Sequence, residues 1–215
     1  MATRKYTQKR RAEQQSETRR RIVEAAYALH GEIGPARTSI KAIAERAGVE
    51  RLTVYRHFGD EGEIFAACSA HFQAEIPPPD PAAWAGITDP AARLRAALLA
   101  FYDYYRRGED VIAKAQRDAQ ALPALAAVLA PWGRFVEMVR EDLEAAWPVD
   151  GAARPRLAAA IGHALRFETW RSLAHDEGLD DAAAADLMVD FARVAAAPVA
   201  ERSAPVDPVA AIPVE

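Results

Sequence analysis

The sequence predicts an all-α protein in which a small helix-turn-helix domain precedes a larger helical body. Of the 215 residues, 51% are hydrophobic and only 8% aromatic, and the many alanines favour helices. Apolar residues recur at the three-and-four spacing of amphipathic helices, and no all-β pattern occurs. A proline-rich stretch at 77–90 cannot hold a continuous helix, so two unequal units are expected on either side of it.

Charge is distributed unevenly along the chain. The formal net charge is −4, but residues 1–60 carry 13 Lys or Arg against 7 Asp or Glu, whereas residues 61–215 carry 14 against 24. Because Lys and Arg supply most sequence-independent affinity for nucleic acid, the basic amino-terminal part suits a polyanionic partner. The alternative is a solvated basic tail, and residues 1–15, which have no apolar face, are predicted to be a disordered basic arm.

Several classes of protein are disfavoured by composition. A single cysteine, Cys68, excludes an internal disulfide framework and a Cys-rich zinc site, so no metal and no cofactor is expected. The sequence lacks a Ser-His-Asp pattern, a phosphate-binding glycine loop and a cluster of metal ligands, and we therefore expect no enzyme activity. With no apolar run of eighteen residues and no signal peptide, the chain is predicted to be soluble and cytoplasmic.

The first helix is predicted to begin near Ser16 and to end at Gly31 to Pro35, with Ile22 and Ala26 on its apolar stripe. Arginines 19, 20 and 21 lie near its amino-terminal end, where the helix dipole disfavours positive charge. An external anion therefore explains them better than local stability, and a solvated face is the alternative.

A helix-turn-helix is predicted between Thr38 and Phe58. Thr38 is the expected N-cap of a short helix with one apolar face, and Gly48 can adopt the positive φ of the turn that follows. The second helix carries groups able to reach phosphates or base edges, which suits a DNA-recognition helix. An ordinary helical hairpin in a larger bundle is the alternative. The side chains in question are Arg51, Thr53, Tyr55, Arg56 and His57.

Asp60 then caps a connecting helix with Ile64, Phe65, Cys68 and Phe72 on one face.

In the order and spacing of these elements, the first 70 or so residues resemble the TetR family of transcriptional regulators. The resemblance implies a three-helix DNA-binding domain, a larger helical domain that binds a small-molecule effector and dimerises, and a homodimer on a pseudo-palindromic operator. Repression is the commoner outcome in that family.

Carried over residue by residue, the resemblance implies that Tyr55 and His57 contact phosphates and that Thr38 and Thr53 add contacts to the DNA backbone. The small core would contain Ile43, Ala47, Val49, Val54 and Phe58.

Three positions depart from the family pattern. Glu50 replaces the usual small polar cap, Leu52 replaces a small residue, and Glu61 replaces a common phosphate-contacting Lys. The two carboxylates would repel phosphates unless Glu50 reads a cytosine amino group, and Leu52 could meet a thymine methyl group or fill a packing gap. A ligand-binding or protein-interaction protein with weakened DNA binding is therefore the alternative function.

In the body, helices are predicted over 90–108, 110–122, 123–147, 156–176 and 180–197. The predicted division is a basic arm at 1–15, a helix-turn-helix domain at 16–60, a connecting helix at 61–76, a proline-rich linker at 77–90, a helical body at 91–197 and a disordered tail at 198–215.

Large side chains of the body could line an apolar effector chamber with a few polar groups. Intramolecular core is the alternative for each of them. The candidate residues are Tyr102, Tyr105, Trp132, Phe135, Met138, His163, Phe167 and Trp170.

The resemblance further implies that the last two helices pair with their copies in the dimer. Individual apolar residues on those helices could equally well belong to the intramolecular core. The residues concerned are Ile161, Leu165, Leu173, Leu187, Val189, Phe191 and Val194. An effector bound to the body would shift the connecting helix from Ile64 to Phe72 and so change the separation of the two recognition helices.

Overall fold

A computed structural model describes residues 2–198, and every regular element within that range is helical. The all-α prediction is confirmed. The described residues divide into two compact units, one made of 2–79 with 101–135 and the other of 80–100 with 136–198. None of the helices in 2–198 is long and apolar enough to cross a membrane. Apart from Pro198, the tail for which we predicted disorder lies outside the described residues.

Two of the ten helices contribute to both units, because the first parts of α6 and α7 lie in a different unit from their second parts. A 3₁₀ turn precedes α2, and a π-helical turn follows α9. In chain order the helices described are α1 (Ala2–Ile33), α2 (Ile40–Ala47), α3 (Arg51–His57), α4 (Glu61–Glu75), α5 (Ala82–Ala85), α6 (Pro90–Ala119), α7 (Pro123–Ala145), α8 (Ala153–Ala164), α9 (Phe167–Arg171) and α10 (Asp181–Ala196).

Helices α1 to α4 share one apolar core, and we call this part of the first unit the head. Ile22 and Val54 are fully buried, Phe58 is 1% exposed, and Ile43 is 2% exposed. Each such side chain contributes about 1.5–3 kcal/mol by leaving water. The predicted core is confirmed, with Val49 packing on it as a partly buried residue. This core fixes α3 against α1 and α2.

The amino-terminal helix begins at Ala2 and not near Ser16, so residues 2–15 are helical where the sequence predicted a disordered arm. The stretch contains no glycine or proline and consists largely of Ala, Arg, Lys, Glu and Gln, which are good helix formers. Its lack of an apolar face excludes packing, but helix formation does not depend on packing alone. Side-chain pairs at four-residue spacing, such as Lys9 with Glu13, add to it.

Helix α6 runs through Gly108, where the sequence predicted one helix to end and another to begin at Asp110. A Cβ atom at Gly108 would lie 2.6 Å from Cζ of Phe72. The glycine is therefore required by the close approach of the Phe72 ring, and it does not terminate the helix. The prediction of two helices over 90–122 was wrong, because a glycine inside a helix and a glycine after its end look alike in sequence.

The single helix predicted over 156–176 is broken. Helix α8 ends at Ala164, Arg166 is extended with φ −77° and ψ 143°, and α9 begins at Phe167. Leu165 is fully buried and Phe167 is 3% exposed. In a continuous helix these two side chains would point about 200° apart, so burying both requires a change of direction between them.

The remaining boundaries agree with prediction to within a few residues. Helix α7 starts at Pro123 and continues through Pro131, and α10 is capped by the Asp180 carboxylate, which accepts from Ala183 N. Asp60 caps α4 as predicted. The cap of α2, however, is Ser39 and not Thr38: Ser39 Oγ accepts from Ala42 N at 3.1 Å.

Candidate nucleic-acid interface

Helices α2 and α3 form the predicted helix-turn-helix. Gly48 adopts the left-handed conformation with φ 64° and ψ 41°, and the turn is closed by Val49 N donating to Ala44 O at 2.9 Å. This is the hydrogen-bonded helix end that glycine favours. The turn directs α3 so that Val54 and Phe58 enter the head core, which leaves the opposite side of α3 facing outward.

The outward side of α3 carries four of the predicted DNA-contacting side chains, namely Arg51, Leu52, Tyr55 and Arg56. Leu52 is 56% exposed and Tyr55 is 50% exposed. Thr53 and His57 are half-buried at the edges of this surface. An exposed leucine and an exposed tyrosine thus lie on the same surface as two arginines, and about half of each side chain is accessible to a partner.

Thr38 lies outside α3 and has a specific role in its own turn. Its hydroxyl donates to Gly34 O at 2.8 Å, and its backbone N donates to Pro35 O at 3.1 Å. The hydroxyl proton is therefore engaged within the protein, and Thr38 cannot donate it to a phosphate without breaking this bond.

Arg19 and Arg21 hold the ends of both helices of the motif. Arg19 Nη1 donates to His57 O at 2.7 Å, and its guanidinium lies 4.1 Å from the centroid of the Phe58 ring. Arg21 donates to Ala47 O and, at 3.3 Å, to Gly48 O. These acceptors lie at the carboxyl-terminal ends of α3 and α2, where the helix dipole favours positive charge.

The expectation that arginines 19, 20 and 21 face an external anion was therefore wrong. Arg20 pairs with Glu17 at 2.6 Å and with Glu24, while the other two bind the carbonyl groups of α2 and α3. The dipole of their own helix disfavours these arginines, but the carbonyl groups that Arg19 and Arg21 bind lie at the ends of neighbouring helices. Sequence reasoning missed this because the bonded partners lie 26 to 38 residues away.

Two exposed carboxylates flank the surface. Glu50 precedes α3, its side chain makes no cap hydrogen bond, and Glu61 is the first residue of α4. Both lie at helix amino termini, where the dipole favours negative charge, so each has a local reason for its position. The charge that they would place near DNA is nevertheless fully exposed to solvent.

The predicted effector residues divide between the two units. Tyr102, Tyr105, Trp132 and Phe135 belong to the first, whereas Met138, His163, Phe167 and Trp170 belong to the second. In the first unit Tyr105 is buried, and Trp132 contacts Phe135 with ring centroids 5.4 Å apart and Tyr104 at 4.8 Å. These rings therefore form an aromatic cluster within that unit, to which Phe101 also belongs.

The four residues of the second unit are not brought into one cluster of that kind. Met138 is 53% exposed, and His163 is exposed with its ring 6.4 Å from that of Phe191. Phe167 and Trp170 are buried and contact each other with centroids 5.7 Å apart. Trp170 Nε1 also donates to Asp181 at 2.9 Å, so this tryptophan has its polar partner inside the unit.

A surface groove that the sequence did not predict lies between the start of α6 and α10. It has a volume of about 330 Å³, and an ion pair at 2.5 Å between Arg95 and Asp186 contributes to its lining. Five of its eight lining residues are charged, the other three are Ala91, Ala92 and Val189, and none is a predicted effector residue.

Leu173, one of the seven residues predicted for the dimer interface, is half-buried in the π-helical turn after α9, and the other six separate into two groups. Ile161 and Leu165 are fully buried and Val189 is 4% exposed, so these three belong to the core of their own unit. Leu187, Phe191 and Val194 are about half exposed and share one stripe of α10 at four- and three-residue spacing. Only the second group is available to another chain.

Comparison with known proteins gives this arrangement a family. Residues 22–68 match the model of the bacterial regulatory proteins of the tetR family. Those residues include the buried stripe of α1, both helices of the motif and the start of α4. The chain carries a TetR-family domain. The resemblance inferred from the order of helices and caps is thereby confirmed.

Related regulators match over a short stretch of the chain. The HTH-type transcriptional regulator TtgR of Pseudomonas putida is 42% identical over 59 residues, which are 27% of this chain and 28% of TtgR. The HTH-type transcriptional repressor Rv3405c of Mycobacterium tuberculosis is 36% identical over 77 residues, which are 35% of this chain and 41% of that protein. The matched stretch thus spans less than half of either relative.

Solved structures match over most of the chain. A TetR-like transcriptional regulator from Rhodococcus sp. RHA1 has a TM-score of 0.59 at 24% identity, covering 82% of this chain and 93% of that one. NalD of Pseudomonas aeruginosa, the secondary repressor of the MexAB-OprM multidrug efflux pump, has a TM-score of 0.56 at 21% identity, covering 85% and 97%. At these identities the likeness establishes a shared fold.

Proposed function

We propose that this protein is a transcriptional repressor that binds a pseudo-palindromic DNA operator as a homodimer and is released by a small-molecule effector. The observation that carries the proposal is the outward surface of α3, where Arg51, Leu52, Tyr55 and Arg56 are exposed on a helix fixed by the head core. A rigid helix with exposed groups is what the major groove of duplex DNA accommodates.

The side chains of this surface have different roles in the proposal. Arg51, at the start of α3, reads a base edge, and Leu52 beside it contacts a thymine methyl group. Tyr55, Arg56 and His57 bind phosphates and set the register of the helix. Thr53 lies at the edge of the contact, and Thr38 can donate to a phosphate only if its hydroxyl turns away from Gly34 O.

Dimerisation is proposed through the exposed stripe of α10. Leu187, Phe191 and Val194 would otherwise leave three large apolar groups in water. A two-fold axis through this stripe makes the interface self-complementary and presents two copies of α3 to two half-sites. Repression is proposed because NalD and Rv3405c are repressors by name.

The effector is proposed to bind the body near the aromatic cluster. Trp132 and Phe135 are only half-buried, so part of the cluster is open to a ligand, whereas Tyr102 and Tyr105 are buried. Met138, His163, Phe167 and Trp170 belong to the second unit and are not assigned to this proposed site. Binding there lowers operator affinity only if the effector prefers the conformation that does not bind DNA.

Selection from a random pool of duplex DNA tests the proposal most directly. The intact protein should enrich a pseudo-palindrome. Arg51→Ala should relax the preference at one position of each half-site, and Tyr55→Phe should weaken binding to all enriched sequences alike, because it removes a phosphate contact. Glu45→Gln, at an exposed position of α2, is the matched control and should leave the enriched sequence unchanged.

The alternative function has one observation in its favour, which is the exposure of Glu50 and Glu61 beside the proposed interface. If the intact protein enriches no sequence even at low salt, the helical interaction protein is the better account. If Glu50→Gln and Glu61→Gln raise affinity and leave the enriched sequence unchanged, the carboxylates merely weaken a genuine DNA interface.

A further inference from the structure

The first half of α1 extends beyond the head as a helix with no packed face. Every residue from 8 to 17 is exposed, and we call this stretch the amino-terminal extension. The first buried residue of α1 is Ile22. At about 1.5 Å of rise per residue, Lys9 lies roughly 20 Å along the helix axis from Ile22. The extension therefore reaches well outside the core that stabilises the rest of α1.

The extension leaves the head next to the proposed DNA interface. Arg19, two residues after the extension ends, donates to His57 O at the carboxyl-terminal end of α3 and lies over the Phe58 ring. Residues 9–11 are about 12–15 Å from this junction along the helix. The base of the extension therefore lies next to the carboxyl-terminal end of α3.

The positive charge of the extension is confined to residues 9–11, and its negative charges are Glu13 and Glu17. Lys9 is 3.8 Å from Glu13, with both side chains exposed, and Arg10 lies 5.9 Å from the centroid of the Tyr6 ring. Exposed pairs of this kind contribute little. Arg11 has no carboxylate within 4 Å among the side chains that the structure describes. All three cations therefore remain accessible to an external anion.

Neither the fold nor a membrane accounts for this stretch. A helix without tertiary packing is only marginally stable in water, so the head gains little from it. Ala12 is the only apolar residue between 8 and 17, and a helix that lies on a bilayer needs an apolar face. Duplex DNA, by contrast, requires only positive charge at the spacing of its phosphates.

We propose that Lys9, Arg10 and Arg11 bind backbone phosphates of the DNA that flanks each half-site, outside the bases read by α3. This inference rests on the proposed DNA-binding function and adds a second contact region to it. With about 3.4 Å per nucleotide along a strand, the reach of 12–15 Å corresponds to roughly four base pairs of flank. The contact is independent of sequence, because phosphates carry no base information.

The test compares two duplexes and three proteins. One duplex ends at the outer bases of the enriched operator, and the other carries ten further base pairs on each side. The proteins are the intact chain, the triple variant Lys9→Ala, Arg10→Ala and Arg11→Ala, and the control variant Gln8→Ala, Gln14→Ala and Gln15→Ala. The control alters three exposed residues of the same extension without changing its charge.

On the flanked duplex, the intact protein should bind at least tenfold more tightly than the triple variant at about 100 mM salt. The slope of the logarithm of the association constant against the logarithm of salt concentration should be steeper for the intact protein by about 2.7 per subunit, because the variant lacks three phosphate contacts. On the short duplex the affinities of the intact protein and the triple variant should agree within about twofold. The control variant should behave like the intact protein on both, and circular dichroism checks that all three are folded.

Two results overturn the inference while leaving the proposed function intact. The first is an unchanged salt slope of the triple variant on the flanked duplex. The second is an equal loss of affinity on both duplexes, which places the contact inside the operator. A failure of the intact protein to bind either duplex overturns the proposed function, and the inference with it.

Discussion

We predict that His30 makes the stability of the head sensitive to mild acid. The side chain is only 7% exposed and lies with its ring 5.6 Å from that of Phe65. Burial lowers its pKa from 6.5 to about 4, against a smaller opposing effect of the Asp118 carboxylate. Glu61 lines the same small cavity of about 100 Å³. In the folded protein His30 is therefore neutral at pH 5, whereas in the unfolded chain it is protonated.

The sign and size of the effect follow from proton linkage. Because the unfolded chain binds the proton more tightly, the free energy of unfolding is unaffected above pH 6.5 and falls as the pH drops toward 4. With pKa values of 6.5 and about 4, lowering the pH from 7 to 5 costs about 2 kcal/mol, which is roughly a twentyfold change in the unfolding equilibrium. The Asp118 carboxyl, whose pKa is itself lowered, titrates below this window.

Urea denaturation at pH 7 and pH 5, followed by circular dichroism, measures this difference. His30→Phe keeps a ring against Phe65 but has no proton to bind, so its stability should fall by about 2 kcal/mol less than that of the intact protein over the same pH change. His163→Phe, at an exposed histidine, should retain the full loss. Equal losses in the intact protein and in His30→Phe would refute the reasoning, as would an NMR titration that places His30 protonation above pH 6.

Three further predictions concern the contacts that hold the head. Arg19→Ala should lower the free energy of unfolding by about 1 kcal/mol, because it removes both the bond to His57 O and the contact with the Phe58 ring. Arg20→Ala loses only exposed ion pairs and should lower it by less. The reverse order in urea denaturation would contradict the assignment. Asp118→Ala should lower the free energy of unfolding by roughly 1–3 kcal/mol, since it leaves Ala36 N without its acceptor at 2.9 Å. Asp118→Asn keeps an acceptor oxygen and should recover at least half of that loss in the same assay. Burial raises the pKa of the Cys68 thiol to about 12. At pH 8 the native protein should therefore react with a disulfide reagent about a thousandfold more slowly than the urea-denatured chain. Equal rates of absorbance change in the two states would show that Cys68 is not protected.

The head could be predicted from the sequence in considerable detail. The apolar stripe of α2, Gly48 in its left-handed turn, the Asp60 cap and the buried Val54 all follow from residues within four positions of one another. Interactions of such short range are specified by local sequence, which is why the helix-turn-helix and its outward residues were found without a structure. The cap was misplaced by a single residue, from Ser39 to Thr38, because both side chains can accept the same hydrogen bond.

Helix boundaries in the body were less predictable, because packing determines them. Gly108 lies inside α6 to admit the Phe72 ring, and the break at Arg166 allows Leu165 and Phe167 to be buried together. Neither position has a distinctive local sequence. The same limit applies to α10, where Val189 and Leu187 have similar chemistry but only Leu187 is exposed.

The sequence by itself determined the all-α class, the helix-turn-helix and the basic character of the amino-terminal part. These properties depend on composition and on periodicities of three and four residues. Only the tertiary structure decided what the basic residues do: Arg19 and Arg21 bind the carboxyl-terminal ends of α3 and α2, whereas residues 9–11 remain exposed on a helix. The sequence does not show which group a positive side chain will bind, because that depends on the distances between groups in the folded protein.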